Sequence, residues 1–252
     1  MIRKQLIQRQ VGASEVFRLR GQAVSRLEAF SDAVFAFAVT LLVVTLQPPQ
    51  NYQELLKVVQ GLGAFALSFT MLFLIWYNHY RFFRRYGLED GRTALLNAVL
   101  LFVVLFYVYP LRFIFTVVVT AFIAPDGLGR LITADQLPGL YAMYGAGVVA
   151  VFLIFALLNL HAYHLRAALD LSPREAFGTQ SSITANLVVV AIAVVSMLLG
   201  LTQLGAQWGL PGWIYVCVAP TMIIVQRIRR RQWDRRAARD DASPAGPPIA
   251  PA

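Results

Sequence analysis

The chain has 252 residues, of which 58% are hydrophobic and 14% charged, with a mean hydropathy of +0.61. A soluble domain of this size carries about a quarter charged residues. Composition therefore excludes an ordinary soluble enzyme, a disordered chain and a nucleic-acid-binding domain, despite a net charge of +9.

The first 25 residues mix basic positions with Leu6, Ile7, Val11, Val16, Phe17 and Leu19. They lack the apolar stretch of a signal peptide and read as a segment lying on an anionic inner leaflet, in the manner of an interfacial amphipathic helix. Crossing a bilayer core takes about 20 helical residues, and six apolar runs reach or approach that length. The first runs from Leu27 to Leu46 and stops at Pro48-Pro49; the second runs from Leu55 to His79. The third runs from Ala94 to Ile123 and is interrupted by Pro110 and Arg112. Arg112 lies about 30 Å along a helix from Arg92, so it is expected at the far interface, snorkelling beside a proline kink. Phe113 to Ile123 should then extend outward or fold along the leaflet. The fourth run spans Leu140 to His161, the fifth Ile183 to Leu204, and the sixth Pro211 to Gln226. Ser181, Ser182 and Thr184 read as caps of the fifth helix, and Trp208, Trp213 and Tyr215 as an aromatic belt. Residues 231–252 are basic, then Pro/Ala-rich, and read as a disordered tail. The organisation expected is a peripheral segment 1–25, a six-helix membrane domain 26–230 and the tail.

Charge gives the orientation. Of the 22 basic residues, all but Lys57, Arg112 and Arg130 fall before the first run, between the second and third, between the fourth and fifth, or after the sixth. Cytoplasmic loops are the ones enriched in Lys and Arg, so both termini are expected in the cytoplasm, which requires an even number of crossings.

The first run, RLEAFSDAVFAFAVTLLVVTLQPP, carries a carboxylate, Asp32, about one turn inside an apolar helix. An ionisable group there needs a partner or a polar interior. The second run returns toward the same side, so Asp32 or Ser31 is expected to bond to His79 or Asn78. Ala33, Phe37, Thr40, Leu41 and Val44 form a stripe at helical spacing; periodicity alone reads it as a packing seam between close-approaching helices. A metal site at His161-x-x-His164 with Asp170 is conceivable, but these residues lie where a span meets the cytoplasm. No P-loop, G-x-S-x-G or G-x-G-x-x-G pattern is present, and the single Cys217 supports neither a disulfide framework nor a multi-cysteine metal site.

Arg26, Phe30-Ser31-Asp32, the following Val34-Phe35-Ala36-x-Ala38-x-Thr40-Leu41-Leu42, and Trp76-x-x-His79 together resemble the lysosomal potassium channel family, the transmembrane protein 175 type, in its prokaryotic form. The resemblance extends over residues 20 to about 230. It implies an all-α polytopic membrane protein that assembles as a homotetramer, with the first helix of each subunit lining a central pore for potassium. There is one FSD motif, where two-repeat relatives carry two. The resemblance places an apolar constriction at Phe37, with Leu41 and Val44 further outward, and a hydroxyl linked to potassium preference at Thr40. Arg26, Phe30, Ser31, Asp32, Trp76, Asn78 and His79 would hold helices together. Relatives usually have Ile or Leu where this chain has Phe37, which alters the expected shape of the gate. The resulting expectation is passive potassium flux in a bacterial plasma membrane, with no cofactor, no catalytic residue and no nucleic-acid partner. The alternatives are a proton or non-selective cation channel of the same fold, and an embedded enzyme or carrier using His161, His164 and Asp170.

Overall fold

A computed structural model describes residues 17–44, 49–123, 125–202 and 210–242, and among these every regular element is helical. Helix α1 (Arg26–Val44) starts where the Ser25 hydroxyl accepts the Glu28 N–H at 3.0 Å, the cap that a polar residue supplies to unsatisfied first-turn donors. A short amphipathic α2 (Tyr52–Gln60) follows. Its start is closed reciprocally: Asn51 Oδ1 accepts from the Glu54 N–H at 2.9 Å, and the Glu54 carboxylate takes the Gln50 N–H at 2.8 Å. Gly61 separates α2 from α3 (Leu62–Tyr86), which ends at Gly87 with φ 59° and its N–H on the Phe83 carbonyl. Only glycine enters that left-handed conformation without a Cβ penalty. Helix α4 (Gly91–Ile123) is followed by a 3₁₀ turn (Pro125–Arg130) and α5 (Leu137–His164). Helix α6 (Pro173–Leu201) opens on a Ser172/Glu175 capping box with Pro173 in the first turn. After α7 (Leu210–Trp213) and a 3₁₀ turn (Ile214–Cys217), α8 runs from Val218 to Ala242.

Among the described residues four helices, α3, α4, α5 and α6, are long and apolar enough to cross a membrane. Their ends differ from the hydropathy reading in instructive ways. α3 begins at Leu62 rather than Leu55, because Gly61 detaches the amphipathic turns before it, and it continues to Tyr86, two turns past His79. α4 is one 33-residue helix, about 50 Å long, unbroken through Pro110, so Phe113 to Ile123 extends it rather than turning along a leaflet. α6 starts ten residues before Ile183. Ser181, Ser182 and Thr184 are therefore not caps: each hydroxyl donates to the carbonyl four residues back, at 2.9, 3.2 and 3.0 Å. α8 carries the helix through residues 231–242, which were expected to be disordered. Arg and Ala, seven of those twelve residues, favour helix, and the first proline beyond the stretch is Pro244. Residues 243–252 lie outside the described residues, as does Trp208.

The principal core joins α1, α3, α4 and α5 through Phe35, Ala38, Leu42, Leu72, Leu100, Val108, Phe155 and Leu158. A second cluster, Tyr107, Leu111, Val148, Val189 and Ala193, ties α6 to α4 and α5, and the most extensive helix pairing is α5 with α6.

Residues 17–25 are not an interfacial helix; residues 1–16, the rest of that expected segment, lie outside the described residues. The described part is a strap across the end of the bundle where α3 and α5 finish and α6 begins. Phe17 is buried edge-on against Tyr86 and beneath the Arg85 guanidinium. It occupies the space a Cβ on Gly178 would need, 2.6 Å from its ring. Arg20 grips Glu175 with both terminal nitrogens, at 2.9 and 3.0 Å, and donates to the Leu169 and Asp170 carbonyls at 2.7 and 2.8 Å. The carboxylate raises the Arg20 pKa further, so this bidentate pair stays charged. The Gly21 N–H donates to the Arg84 carbonyl at 3.2 Å, and the Arg84 side chain donates back to Gly21. Phe17 is thus packed against protein, whereas Val24 of the same strap is exposed.

Candidate functional site

Two faces of α1 have opposite characters. One turns Ser31, Phe35, Ala38 and Leu42 into the core, and Ser31, Ala38 and Leu42 have no exposed surface. On that side a bonded chain joins three helices. The fully buried His79 of α3 lies 2.9 Å from Asn97 Oδ1 of α4, and the Asn97 amide donates to Ser31 Oγ of α1 at 2.8 Å. Ser31 in turn donates to the Leu27 carbonyl at 2.7 Å. The direction of each bond follows from the last: Ser31 spends its proton on Leu27, so it accepts from Asn97, whose amide oxygen is then left to accept from His79. His79 thereby carries a hydrogen on Nε2, and its Nδ1 has no partner among the described residues. Its ring sits between Phe35 at 5.5 Å and Phe83 at 4.6 Å.

Asp32, one residue on, faces the flank of α3 and accepts from Trp76 Nε1 at 2.8 Å. The expected partners of Ser31 and Asp32 were His79 and Asn78. The structure instead gives Asp32 to Trp76 and joins Ser31 to His79 through Asn97. The pairing of α1 with α3 is as expected, but α4 comes between Ser31 and His79. Sequence reasoning missed Asn97; the available signal was an amide in the otherwise apolar stretch Ala94–Leu101. At the far end of α1, Arg112 of α4 donates to the Leu42 carbonyl, in the helix's last turn. Arg112 is thus a cap on α1 rather than a snorkelling side chain.

The opposite face of α1, Ala29, Phe30, Ala33, Ala36, Phe37, Thr40 and Val43, is exposed along its length, with Phe30 at 61% and Phe37 at 55%. At about 100° per residue, Ala33 and Thr40 lie at its centre and Phe37 beside them. Leu41 departs from the expected stripe: it is half-buried and packs against the core. Val44 is the last residue of α1. Arg26 is exposed at the start of the same face, whereas Asn78 is half-buried on α3. The Thr40 hydroxyl donates to the Ala36 carbonyl at 3.1 Å, so its oxygen presents lone pairs, not a proton, to whatever faces it.

The histidines at the end of α5 do not gather a metal site: among the described residues no cluster of three His, Cys, Asp or Glu side chains occurs. His161 lies 2.9 Å from Asp90, at the start of α4. Burial pushes the Asp90 pKa up, but bonds from Thr93 at 2.6 Å and from His161 outweigh it and hold the carboxyl below its ordinary value.

Together these features define a multi-pass helical membrane protein in which one helix is fastened on one side and left open on the other. The chain belongs to the endosomal/lysosomal potassium channel TMEM175 family. The family model matches residues 26–107, the stretch that holds α1, α3 and the whole Ser31–Asn97–His79 and Asp32–Trp76 arrangement. A potassium channel of Marivirga tractuosa is 37% identical over 246 residues, covering 91% of this chain and 97% of that protein. A potassium channel of Chamaesiphon minutus is 37% identical over 98 residues, 34% of this chain and 46% of that protein. The crystal structure of a variant of the potassium channel MtTMEM175, bound to a nanobody fusion, superposes with a TM-score of 0.78 at 37% identity, covering 88% of this chain and all of that one.

Proposed function

We propose that the protein is a potassium-permeable channel, a homotetramer whose pore is lined by the open face of α1 from each subunit. The observation that carries this reading is the division of α1. Every described polar tie made by α1 side chains to another helix lies on the bundle side, while an unbroken stripe from Ala29 to Val43 faces outward. Small residues at Ala29, Ala33 and Ala36 let four copies approach closely around an axis. Phe37 from each copy would then form an apolar ring that closes the path by excluding water. Thr40, one turn outward, would add a ring of acceptor oxygens suited to a partly dehydrated cation. The kinship with named potassium channels supports potassium as the permeant ion. α1 and the helical path from α7 through α8 supply two further crossings, making six. The distribution of basic residues puts both termini in the cytoplasm, and the bacterial relatives support a bacterial plasma membrane.

Purified protein in planar bilayers tests this. Under a tenfold potassium gradient the reversal potential should approach about 59 mV, and replacing potassium by sodium on one side should shift it toward the potassium equilibrium potential. No shift on that replacement would mean a non-selective pore, and a reversal that follows the proton gradient would mean a proton pathway; either rejects the reading.

A further inference from the structure

α8 is divided lengthwise. Met222, Val225, Arg229 and Trp233 recur at helical spacing and are half-buried, whereas Ile223, Ile224, Arg227, Ile228 and Arg231 are exposed. The half-buried side docks on α6: Arg229 donates to Thr184 Oγ1 and its guanidinium lies 5.7 Å from the Phe177 ring, which packs on Trp233 at 5.5 Å. The outward side has nothing described against it, and its character changes along the axis. Ile223, Ile224 and Ile228 are 51%, 55% and 50% exposed, and the same face carries Arg227, beside Ile228, and Arg231, beyond it. From Ile224 to Arg231 is about 10 Å, roughly the depth over which a bilayer passes from hydrocarbon to headgroup. α6 changes character at the same level, where Thr184 opens its apolar stretch. Arg229 is committed to α6, but Arg227 and Arg231, one turn apart on the outer face, are not.

We infer that the outer face of α8 is a binding surface for an anionic phospholipid. The acyl chains lie along Ile223, Ile224 and Ile228, and the phosphate is held between the Arg227 and Arg231 guanidiniums. Guanidinium forks match phosphate oxygens geometrically as well as in charge. A second copy of the chain is disfavoured as the occupant because it would bring its own arginines to the same depth. The inference rests on α8 passing through a membrane interface and not on which ion the pore conducts.

The test compares full-length protein in detergent with added phosphatidylglycerol or phosphatidylcholine, reading bound lipid per chain by native mass spectrometry and the shift in melting temperature. Phosphatidylglycerol should bind more tightly than phosphatidylcholine, with the preference weakening between 0.1 and 0.5 M salt as screening shortens. The double variant R227Q/R231Q should lose most of the preference, by about fivefold in affinity per arginine, and R227K/R231K should keep much of it. If R227Q/R231Q fails to fold, the wild-type salt dependence and the lysine variant decide. Equal binding of the two lipids, a preference indifferent to salt, or an unchanged preference in R227Q/R231Q would overturn the inference. Potassium flux measured on the same preparations separates the two readings: lost flux with retained lipid preference counts against the channel assignment alone.

Discussion

Asn97→Ala isolates what joins the three helices. Asn97 is fully buried and is the described bonding partner of His79 Nε2. Removing its amide leaves the imidazole N–H with no acceptor and strips Ser31 Oγ of its donor, although Ser31 keeps its own bond to Leu27. A buried donor left unsatisfied costs about 1–3 kcal/mol. Interhelical hydrogen bonds measured inside membranes average nearer 0.6 kcal/mol, because the unfolded chain in the membrane also finds partners. Loss of the amide volume adds a small cavity. The sum is about 2 kcal/mol; Ser31→Ala likewise leaves one buried donor, the Asn97 NH2, without its acceptor, but it removes less volume. Equilibrium unfolding in mixed micelles, titrated with a denaturing detergent, reads these values, and the double variant N97A/S31A reads the coupling. A cost for N97A under about 0.5 kcal/mol, or strict additivity with S31A, would refute a connected Ser31–Asn97–His79 chain and reduce Asn97 to a space-filling residue.

Phe37→Ala should raise potassium flux severalfold, measured in vesicles under a fixed gradient; unchanged flux would place the constriction at another level of α1. Thr40→Val keeps the shape but removes the lone pairs, and should bring the reversal potentials under potassium and sodium closer together, while Thr40→Ser should keep them apart. Arg112→Met removes the cap on the Leu42 carbonyl and should destabilise the protein by about 1–2 kcal/mol, with a loss of hydrogen-exchange protection concentrated in the last turn of α1. For Asp90, whose folded pKa is depressed, the stabilising contribution is fully present above its ordinary value near 3.8 and is lost as pH falls through the lower folded value. The stability gap between wild type and D90N should therefore be constant at neutral pH and narrow below about pH 4; a gap that widens in acid would contradict the sign.

Hydropathy and charge made most of the fold legible, and the errors at helix ends share one cause. A window of apolar residues reports where a helix lies in hydrocarbon, not where it begins or ends. The first ten residues of α6 are polar enough to be read as connection, yet Ser172-Pro173-Arg174-Glu175 spells a capping box. Likewise α3 runs on to Tyr86 through Arg81, Arg84 and Arg85. The partner of Asp32, Trp76, lies one turn further from the C-terminal end of α3 than His79 does. Asn97 escaped for a different reason. A lone amide has no charge to announce a need for partners, and only its position opposite both Ser31 and His79, a matter of three-helix packing, gives it a role. The strap was illegible because Phe17 packs on protein, and nothing local in the sequence separates that from lipid.

The two ends of α1 are held by different chemistry, and this bears on where it can move. Toward its start, the bonds of Ser31 and Asp32 reach α3 and α4, and the strap that precedes it is fixed to α3 and α6. Toward its end, Arg112 of α4 donates to the Leu42 carbonyl. Between them, from Phe35 to Leu42, the bundle side is held by apolar contacts alone, which have no preferred direction and allow a helix to slide or roll by small amounts at little cost. Phe37 and Thr40 both lie in that middle stretch. If four copies of Phe37 form the proposed constriction, a small roll of this middle stretch would move the phenyl ring without breaking a bond of the Ser31–Asn97–His79 chain, so substitutions in that chain should change stability more than they change the open conductance.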